Sequence, residues 1–288
     1  MHSEVKGNVI VMKIRILYIL LGVFIAAVIV SAVGLGRELY INREGQSYYT
    51  ALADDIQTRP RIPGEYKQPA PSQTTPLTPT PGVTETIVEE NIEAPEQEPP
   101  QWAPYVDFYS LNETLPGISA WIKLENTVLD YPIMRWTNNS YFLHHLPDGT
   151  GHRNGSIFLD YRNAVDFSDK DTLIYGHESK TGDMFGILKS YRRQSFYEEN
   201  PVIYIFTPEK DYELILVAGY LVDSGVESPP LKFKDDADFM EHVAVIKQRS
   251  FFRSDVEVSA GDRLVSLCTC AYDYTNARLV IVGKLVEF

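Results

Sequence analysis

The sequence predicts a mainly β protein, an eight-stranded β-barrel with inserted helices, preceded by one transmembrane helix. Three observations predict this organisation. The 288 residues suffice for one domain plus extensions, and 44% of them are hydrophobic, which supports a folded core. An uncharged apolar run of membrane-spanning length lies near the N-terminus. After residue 101, runs rich in β-branched and aromatic residues outnumber helical patterns, as expected for a domain built on a sheet.

The apolar run is Ile16–Leu35, which contains no charged side chain. Its length matches the roughly 20 residues that a helix needs to cross a hydrocarbon core. A cleaved signal peptide processed near Ala32–Gly34 is the alternative, although the apolar region of a signal peptide normally has only about 7–15 residues. Lys6, Lys13 and Arg15 precede the run. We therefore expect a single-pass cell-membrane protein with its N-terminus in the cytoplasm and its folded domain outside the cell.

The composition divides the chain into four expected regions. These are a cytoplasmic tail at 1–15, a transmembrane signal anchor at 16–36, a juxtamembrane segment with a stalk at 37–101, and a globular domain at 102–288. Residues 68–100 contain eight of the 18 prolines and six glutamates, without lysine or arginine. Such a segment cannot bury enough apolar area to fold, so we expect an extended stalk that provides only reach.

The globular part is expected to alternate strands with a few helices. The expected strands lie near 118–124, 127–134, 156–160, 171–176, 201–207, 211–222, 263–270 and 277–287. The expected helices lie near 107–114, 183–191 and 235–249. In the last helix, Phe239, Val243 and Ile246 share one face, and the aspartate-rich start favours the helix dipole. Because strands dominate, a mainly antiparallel barrel with inserted helices is the expected architecture.

The charge and the cysteine content argue against some classes of protein. The formal net charge is −13, which would repel a phosphate backbone, so no nucleic-acid partner is expected. The chain has only two cysteines, Cys268 and Cys270, too few for a disulfide-stapled fold or a closed zinc site. On a strand, positions i and i+2 lie roughly 6.6–6.8 Å apart, at the outer limit for a disulfide. We therefore expect at least one thiol to stay reduced.

The segment Leu264–Cys270 carries the first candidate for chemistry. If it is a strand, Cys268 and Cys270 share one face. Cys270 ends the strand beside a polar stretch, where a nucleophile can be held rigidly and still be reached. Cys268 lies one pleat further in, where a small buried hydrophobic residue is the better interpretation. From the strand alone, that interpretation suits Cys270 about as well as a nucleophile does.

Two more ionisable residues occupy strand ends. Arg278 begins the strand after Cys270, so we expect these strands to be adjacent and the two residues to stand side by side. A guanidinium supplies a permanent charge and fixed donors, which suits an oxyanion or a thiolate, although a surface arginine at a strand edge is equally compatible. His177 closes the strand 171–176 on a turn that Gly176 would allow. Of the six histidines it alone shares this placement, which makes it the candidate acid–base group.

Together these residues form a pattern that resembles the sortases of Gram-positive bacteria. The pattern is Tyr175-Gly176-His177, then a Leu-x-Thr-Cys strand that ends at Cys270, then Arg278 on the following strand. The chain looks most like class B, whose members carry a helix in the long connection before the cysteine strand, as residues 235–249 would here.

Further short sequence motifs extend the resemblance over about 105–288. They are Trp121-Ile122, Asp130-Tyr131-Pro132-Ile133, the run from Gly155 to Arg162, and Met184-Phe185. Two positions depart from the pattern. Ser266 replaces the first threonine of the Thr-Leu-x-Thr-Cys signature, and Cys268 occupies its variable position. The register of the signature selects Cys270 as the nucleophile.

The resemblance implies a membrane-anchored transpeptidase that needs no metal and no organic cofactor. It implies that Cys270 is the nucleophile, His177 the acid–base group and Arg278 the oxyanion stabiliser. The donor substrate would be a secreted protein with a C-terminal sorting signal similar to Asn-Pro-x-Thr-x. The acceptor would be an amine of a peptidoglycan precursor or of a pilin. The thioacyl intermediate would form on Cys270.

The resemblance also carries substrate contacts over to four positions, Asn139, Leu143, Cys268 and Thr269. Two other functions stay open. A papain-like cell-wall hydrolase also uses cysteine and histidine, but there the cysteine precedes the histidine and usually opens a helix. The second is a non-catalytic surface protein whose barrel binds a partner. That function gives no reason for a cysteine, a histidine and an arginine to lie at strand ends.

Overall fold

The computed structural model describes residues 2–57, 106–179, 182–270 and 276–288, with side chains for all of them except 2–16, 55–57 and 270. The stalk expected at 68–100 lies outside the described residues. The strands are β1 Ile118–Lys123, β2 Asp130–Met134, β3 Ile157–Leu159, β4 Asp171–Gly176, β5 Val202–Phe206, β6 Asp211–Asp223, β7 Leu264–Cys270 and β8 Ala277–Glu287. The α-helices are α1 His2–Gln57, α2 Phe108–Thr114, α3 Gln194–Glu199 and α4 Asp236–Arg249, and a 3-10 helix, η1, spans Phe185–Arg192.

The eight strands close into one barrel in the order β1-β2-β3-β4-β7-β8-β6-β5. The β2–β3 and β4–β7 pairs are parallel, and the other six pairs are antiparallel. Closure leaves no unpaired sheet edge among the described strands. The expected mainly β barrel with inserted helices is therefore confirmed.

Two elements differ from the sequence expectation for local reasons. Strand β2 begins at Asp130 rather than near 127, because a turn precedes it in which Thr127 Oγ1 donates to the Leu124 carbonyl oxygen over 2.8 Å. The helix expected near 183–191 is a 3-10 helix, and the unpredicted α3 follows it directly. Met184, just before η1, has a positive φ of 53° that no sequence pattern marks.

Side chains of β7 alternate between two hydrophobic clusters, as the strand pattern predicts. Val265 and Leu267 belong to the cluster inside the barrel. Leu264 and Cys268 belong to a second cluster on the outer face, beneath α4. The predicted apolar face of α4 is confirmed, since its three members are buried in this second cluster: Phe239, Val243 and Ile246.

Helix α1 is continuous from the apolar run to Gln57. Its stretch Leu17–Asp54 is long and apolar enough to cross a membrane, a criterion that a signal sequence near an N-terminus also meets. The apolar side chains from Leu17 to Leu35 are exposed, whereas Tyr49 and Ala53 in its second half are buried against the barrel. The second half of α1 thus packs on the globular domain.

Candidate active site

The ends of three neighbouring strands bring the three candidate catalytic positions into one row. In the antiparallel β7–β8 ladder, Cys270 stands opposite Arg278. In the parallel β4–β7 ladder, Gly176 stands opposite Thr269, so the next residue, His177, continues the register opposite Cys270. Because neighbouring strands lie about 4.8 Å apart, the three backbone positions form a row roughly 10 Å long. Position 270 is the middle of this row.

The row lies on the outer face of the barrel. One pleat further in, Tyr175, Cys268 and Val280 stand opposite one another and pack into the outer cluster. Side chains two residues apart on a strand share a face, so those of His177 and Arg278 lie on the outer side too. Both are half-buried. They are therefore held by the fold and still reachable from solvent.

His177 is fixed at both its ring and its backbone. Its Nε2 lies 2.8 Å from the Leu143 carbonyl oxygen, and its own carbonyl oxygen accepts from the Phe185 amide over 3.1 Å. A carbonyl can only accept, so this contact requires the proton on Nε2. The geometry therefore leaves Nδ1 as the ring nitrogen that can take up and release a proton.

Gly176 serves a different purpose from the turn that the sequence predicted. It is the last residue of β4, and its φ is not positive. A Cβ at this position would lie 2.7 Å from two carbons of the Phe185 ring. The glycine is needed because η1 packs its first aromatic ring directly against the strand that carries His177.

The Arg278 guanidinium makes one hydrogen bond to the described part of the chain, from Nη1 to the Ala277 carbonyl oxygen over 3.0 Å. On its other side stands Val222 of β6, which is buried. A guanidinium has five N–H donors in a fixed fork. Most of these donors therefore have no partner among the residues that the structure describes.

Asn139, a predicted substrate contact, belongs to a polar network around the buried Asp160. Its Nδ2 donates to Asp160 Oδ2 over 2.9 Å, and its Oδ1 accepts from the Tyr161 amide over 3.0 Å. Arg162 Nη2 lies 2.7 Å from the same Asp160 carboxylate. Burial raises the pKa of the Asp160 carboxyl, but the hydrogen bonds from Arg162 and Asn139 outweigh burial and leave its pKa below the ordinary value. Asn139 therefore fastens its loop to the end of β3.

The other three predicted substrate contacts have different surroundings. Leu143 has a half-buried side chain, and its carbonyl oxygen is the partner of His177. Cys268 is only 3% exposed and Thr269 only 2%. The alternation of β7 explains this burial, because Cys268 lies in the outer cluster with α4 and Thr269 points to the barrel interior. The side chains of Cys268 and Thr269 are thus buried, and their contacts with a substrate stay predictions.

No family model matches the chain. Sortase B of Listeria monocytogenes is 37% identical to it over 182 residues, which cover 62% of this chain and 73% of that protein. This chain belongs to the sortase B family. The structure of a Staphylococcus aureus sortase B–substrate complex resembles this sortase with a TM-score of 0.60 and 33% identity, over 62% of this chain and 84% of that one. The structure of a sortase B complexed with triglycine gives a TM-score of 0.60 and 33% identity, over 62% and 85% of the two chains.

The family membership confirms the resemblance seen in the sequence motifs. The protein is a cysteine transpeptidase of the sortase type, built on the eight-stranded barrel of sortase B. The papain-like hydrolase and the non-catalytic binding protein are set aside. The 182 matched residues are about as many as the globular domain at 102–288 contains.

Proposed function

We propose that this sortase cuts a C-terminal sorting signal with Cys270 as nucleophile, His177 as acid–base group and Arg278 as oxyanion stabiliser. The observation that carries the proposal is the backbone row in which position 270 lies between the other two. The three residue types supply a nucleophile, a proton carrier and a permanent positive charge. These are the groups that acyl transfer requires.

In the first half-reaction, the Cys270 thiolate attacks the carbonyl carbon of the threonine in the sorting signal. A carbon–sulfur bond forms and the carbonyl oxygen becomes an oxyanion, which Arg278 stabilises with its charge and its available donors. The intermediate collapses, the peptide bond breaks, and the protonated His177 gives its proton to the leaving amine. The product is a thioacyl enzyme.

In the second half-reaction, an acceptor amine loses its proton to His177 and attacks the thioester carbon. A new amide bond forms, and Cys270 leaves as a thiolate. The Nε2–H of His177 stays bonded to the Leu143 carbonyl oxygen throughout, so Nδ1 carries the transferred proton in both half-reactions. His177 thus returns to its starting protonation state after each cycle.

The substrates follow from the class. The donor is a secreted protein with a signal similar to Asn-Pro-x-Thr-x, and the acceptor is a primary amine of a peptidoglycan precursor or a pilin. Sortase B structures contain a substrate in one case and triglycine in another, which supports a peptide groove and an amine subsite on the same fold. Leu143, whose carbonyl oxygen is the partner of His177 and whose side chain is half-buried, is our candidate for the wall of the peptide groove.

The placement in the cell belongs to the same proposal. Residues 16–36 anchor the enzyme in the membrane, 1–15 stay in the cytoplasm, and the catalytic domain at 102–288 lies outside. Three basic residues before the apolar run and none within it support this orientation. The domain would then meet secreted donors and cell-wall acceptors on the outer side.

The test uses the full chain in detergent micelles with a fluorogenic Asn-Pro-x-Thr-x peptide and triglycine as the acceptor. We expect cleavage and a peptide–triglycine product from the wild type, and neither from Cys270→Ala. Cys268→Ser is the matched control, since it removes the other thiol on the same strand and should retain most activity. Activity in Cys270→Ala together with its loss in Cys268→Ser would refute the assignment of the nucleophile.

A further inference from the structure

One contact of the second half of α1 with the globular domain is a buried tyrosine. Tyr49 is 2% exposed, and its hydroxyl donates to the Gly155 carbonyl oxygen over 2.6 Å. Its ring meets the Tyr131 ring edge-on, with centroids 4.9 Å apart. One turn earlier, Gly45 approaches the same loop so closely that a Cβ there would lie 2.7 Å from the His152 ring. Helix α1 is therefore fitted to the loop that contains His152 and Gly155.

This loop leads from Tyr49 to the ring of His177. The backbone of Gly155 lies directly against the loop's first turn, since a Cβ on Gly155 would be 2.7 Å from the Leu143 carbonyl oxygen. The φ of Gly155 is 54°, a conformation that favours glycine, so this close approach is built into the sequence. The same Leu143 oxygen holds Nε2 of His177 at 2.8 Å. Tyr49 thus supports the group that fixes the histidine tautomer.

A second route leads from α1 towards the backbone of His177. The Tyr131 hydroxyl donates to Gln46 Oε1 on α1 and accepts from the Met184 amide, each over 3.2 Å. The residue after Met184 is the one whose amide donates to the His177 carbonyl oxygen. The Tyr49 ring packs against Tyr131, so it also supports this second route.

We propose that Tyr49 is a positioning residue for His177, and that α1 is therefore a structural part of the active site as well as a membrane anchor. This inference rests on the proposed role of His177 in proton transfer. Tyr49 does not touch the substrate. It supports the Leu143 carbonyl and the residues around Met184, which hold the ring and the backbone of His177 and leave Nδ1 for proton transfer. A displacement of about 1 Å at a catalytic group can cost on the order of 100-fold in rate.

The experiment compares three variants of the full chain in detergent micelles, with the same peptide and triglycine. Tyr49→Phe keeps the ring and removes the bond to Gly155, and we expect kcat to fall about tenfold with KM unchanged, because a buried carbonyl loses its donor. Tyr49→Ala also removes the ring contact, and we expect a loss of about 100-fold. Tyr40→Phe is the matched control on the same helix, where the side chain is 69% exposed, and it should behave as wild type.

A second readout separates positioning from general stability. In selectively labelled protein, the NMR signal of the His177 Nε2–H should shift or broaden in Tyr49→Phe and stay unchanged in Tyr40→Phe. Wild-type kcat and an unchanged imidazole signal in Tyr49→Phe would overturn the inference. So would a fall in kcat that tracks only the fraction of unfolded protein. Activity in His177→Ala would instead refute the proposed catalytic role of His177, which distinguishes the two failures.

Discussion

Replacing Asp171 by asparagine should change how the stability of this sortase depends on pH. Asp171 is the first residue of β4 and is 1% exposed. Its Oδ2 accepts from the Ser266 hydroxyl over 2.9 Å, whereas its Oδ1 has no hydrogen-bond partner in the described part of the chain. Burial raises the pKa of this carboxyl from 3.8 to about 7, and the bond from Ser266 lowers it only in part.

The direction of the pH effect on stability follows from the protonation of Asp171 in the folded and unfolded chains. Between pH 3.8 and about 7, the unfolded chain has released the Asp171 proton while the folded chain still holds it, so stability falls as the pH rises through this window. Above about pH 7, Asp171 is ionised in both the folded and the unfolded chain, and the loss of stability is complete. At roughly 1.4 kcal/mol per pH unit, the total loss is about 4 kcal/mol. Asparagine resembles the neutral carboxyl, so Asp171→Asn should not show this loss.

The assay is thermal unfolding of the full chain at several pH values from 5 to 8. For a domain of this size, about 4 kcal/mol corresponds to a Tm difference of roughly 8–16 °C. We expect Asp171→Asn to melt higher than the wild type at pH 8, with a difference that shrinks towards pH 5. Glu209→Gln removes an acidic group at an exposed position and should leave the profile unchanged. Parallel profiles for wild type and Asp171→Asn would contradict a raised pKa of the Asp171 carboxyl.

Three further predictions concern the site and its surroundings. Arg278→Lys should lower kcat/KM on the order of 100-fold at an unchanged Tm, because lysine keeps the charge but loses the rigid fork of donors; near-normal turnover would reduce the residue to a general electrostatic role. Deleting 68–100 should leave peptide cleavage unchanged, because Ala53 before the segment and Val106 after it belong to one hydrophobic cluster and a shorter link can join them. A large loss measured in the same assay would assign the segment a folded or regulatory role. Gly176→Ala should cost about 1–3 kcal/mol of stability and reduce activity, because a methyl group would displace the aromatic ring beneath it; unchanged melting and turnover would contradict that packing.

The sequence predicts most of the fold because the barrel depends on strand periodicity. Alternation in β7 places Val265 inside and Cys268 outside, and the short connection to Arg278 makes β7 and β8 neighbours. The β4–β7 pairing is not predictable in this way, since these strands are parallel and their last paired positions, Gly176 and Thr269, lie far apart in the chain. The placement of His177 beside position 270 follows from that pairing alone.

The surroundings of the site depend on contacts that carry little sequence signal. The group that holds His177 is the Leu143 backbone carbonyl, and every residue has one, so the sequence does not mark Leu143 for this role. The docking of α1 depends on Gly45 and Tyr49, which stand in a polar stretch without an apolar face wide enough to predict burial. The burial of Thr269 is predictable from the sequence, because the alternation of β7 places it on the same face as Val265 and Leu267.

The proposed mechanism requires that Cys270 forms a thioester with the sorting signal. The most direct measurement is mass spectrometry of the full chain after incubation with an Asn-Pro-x-Thr-x peptide and no acceptor amine, followed by digestion to locate the adduct. We predict an acyl adduct on Cys270 that disappears when triglycine is added and never forms in His177→Ala or Cys270→Ala. An adduct on Cys268, or turnover without any acyl adduct, would contradict the proposed thioacyl mechanism on Cys270.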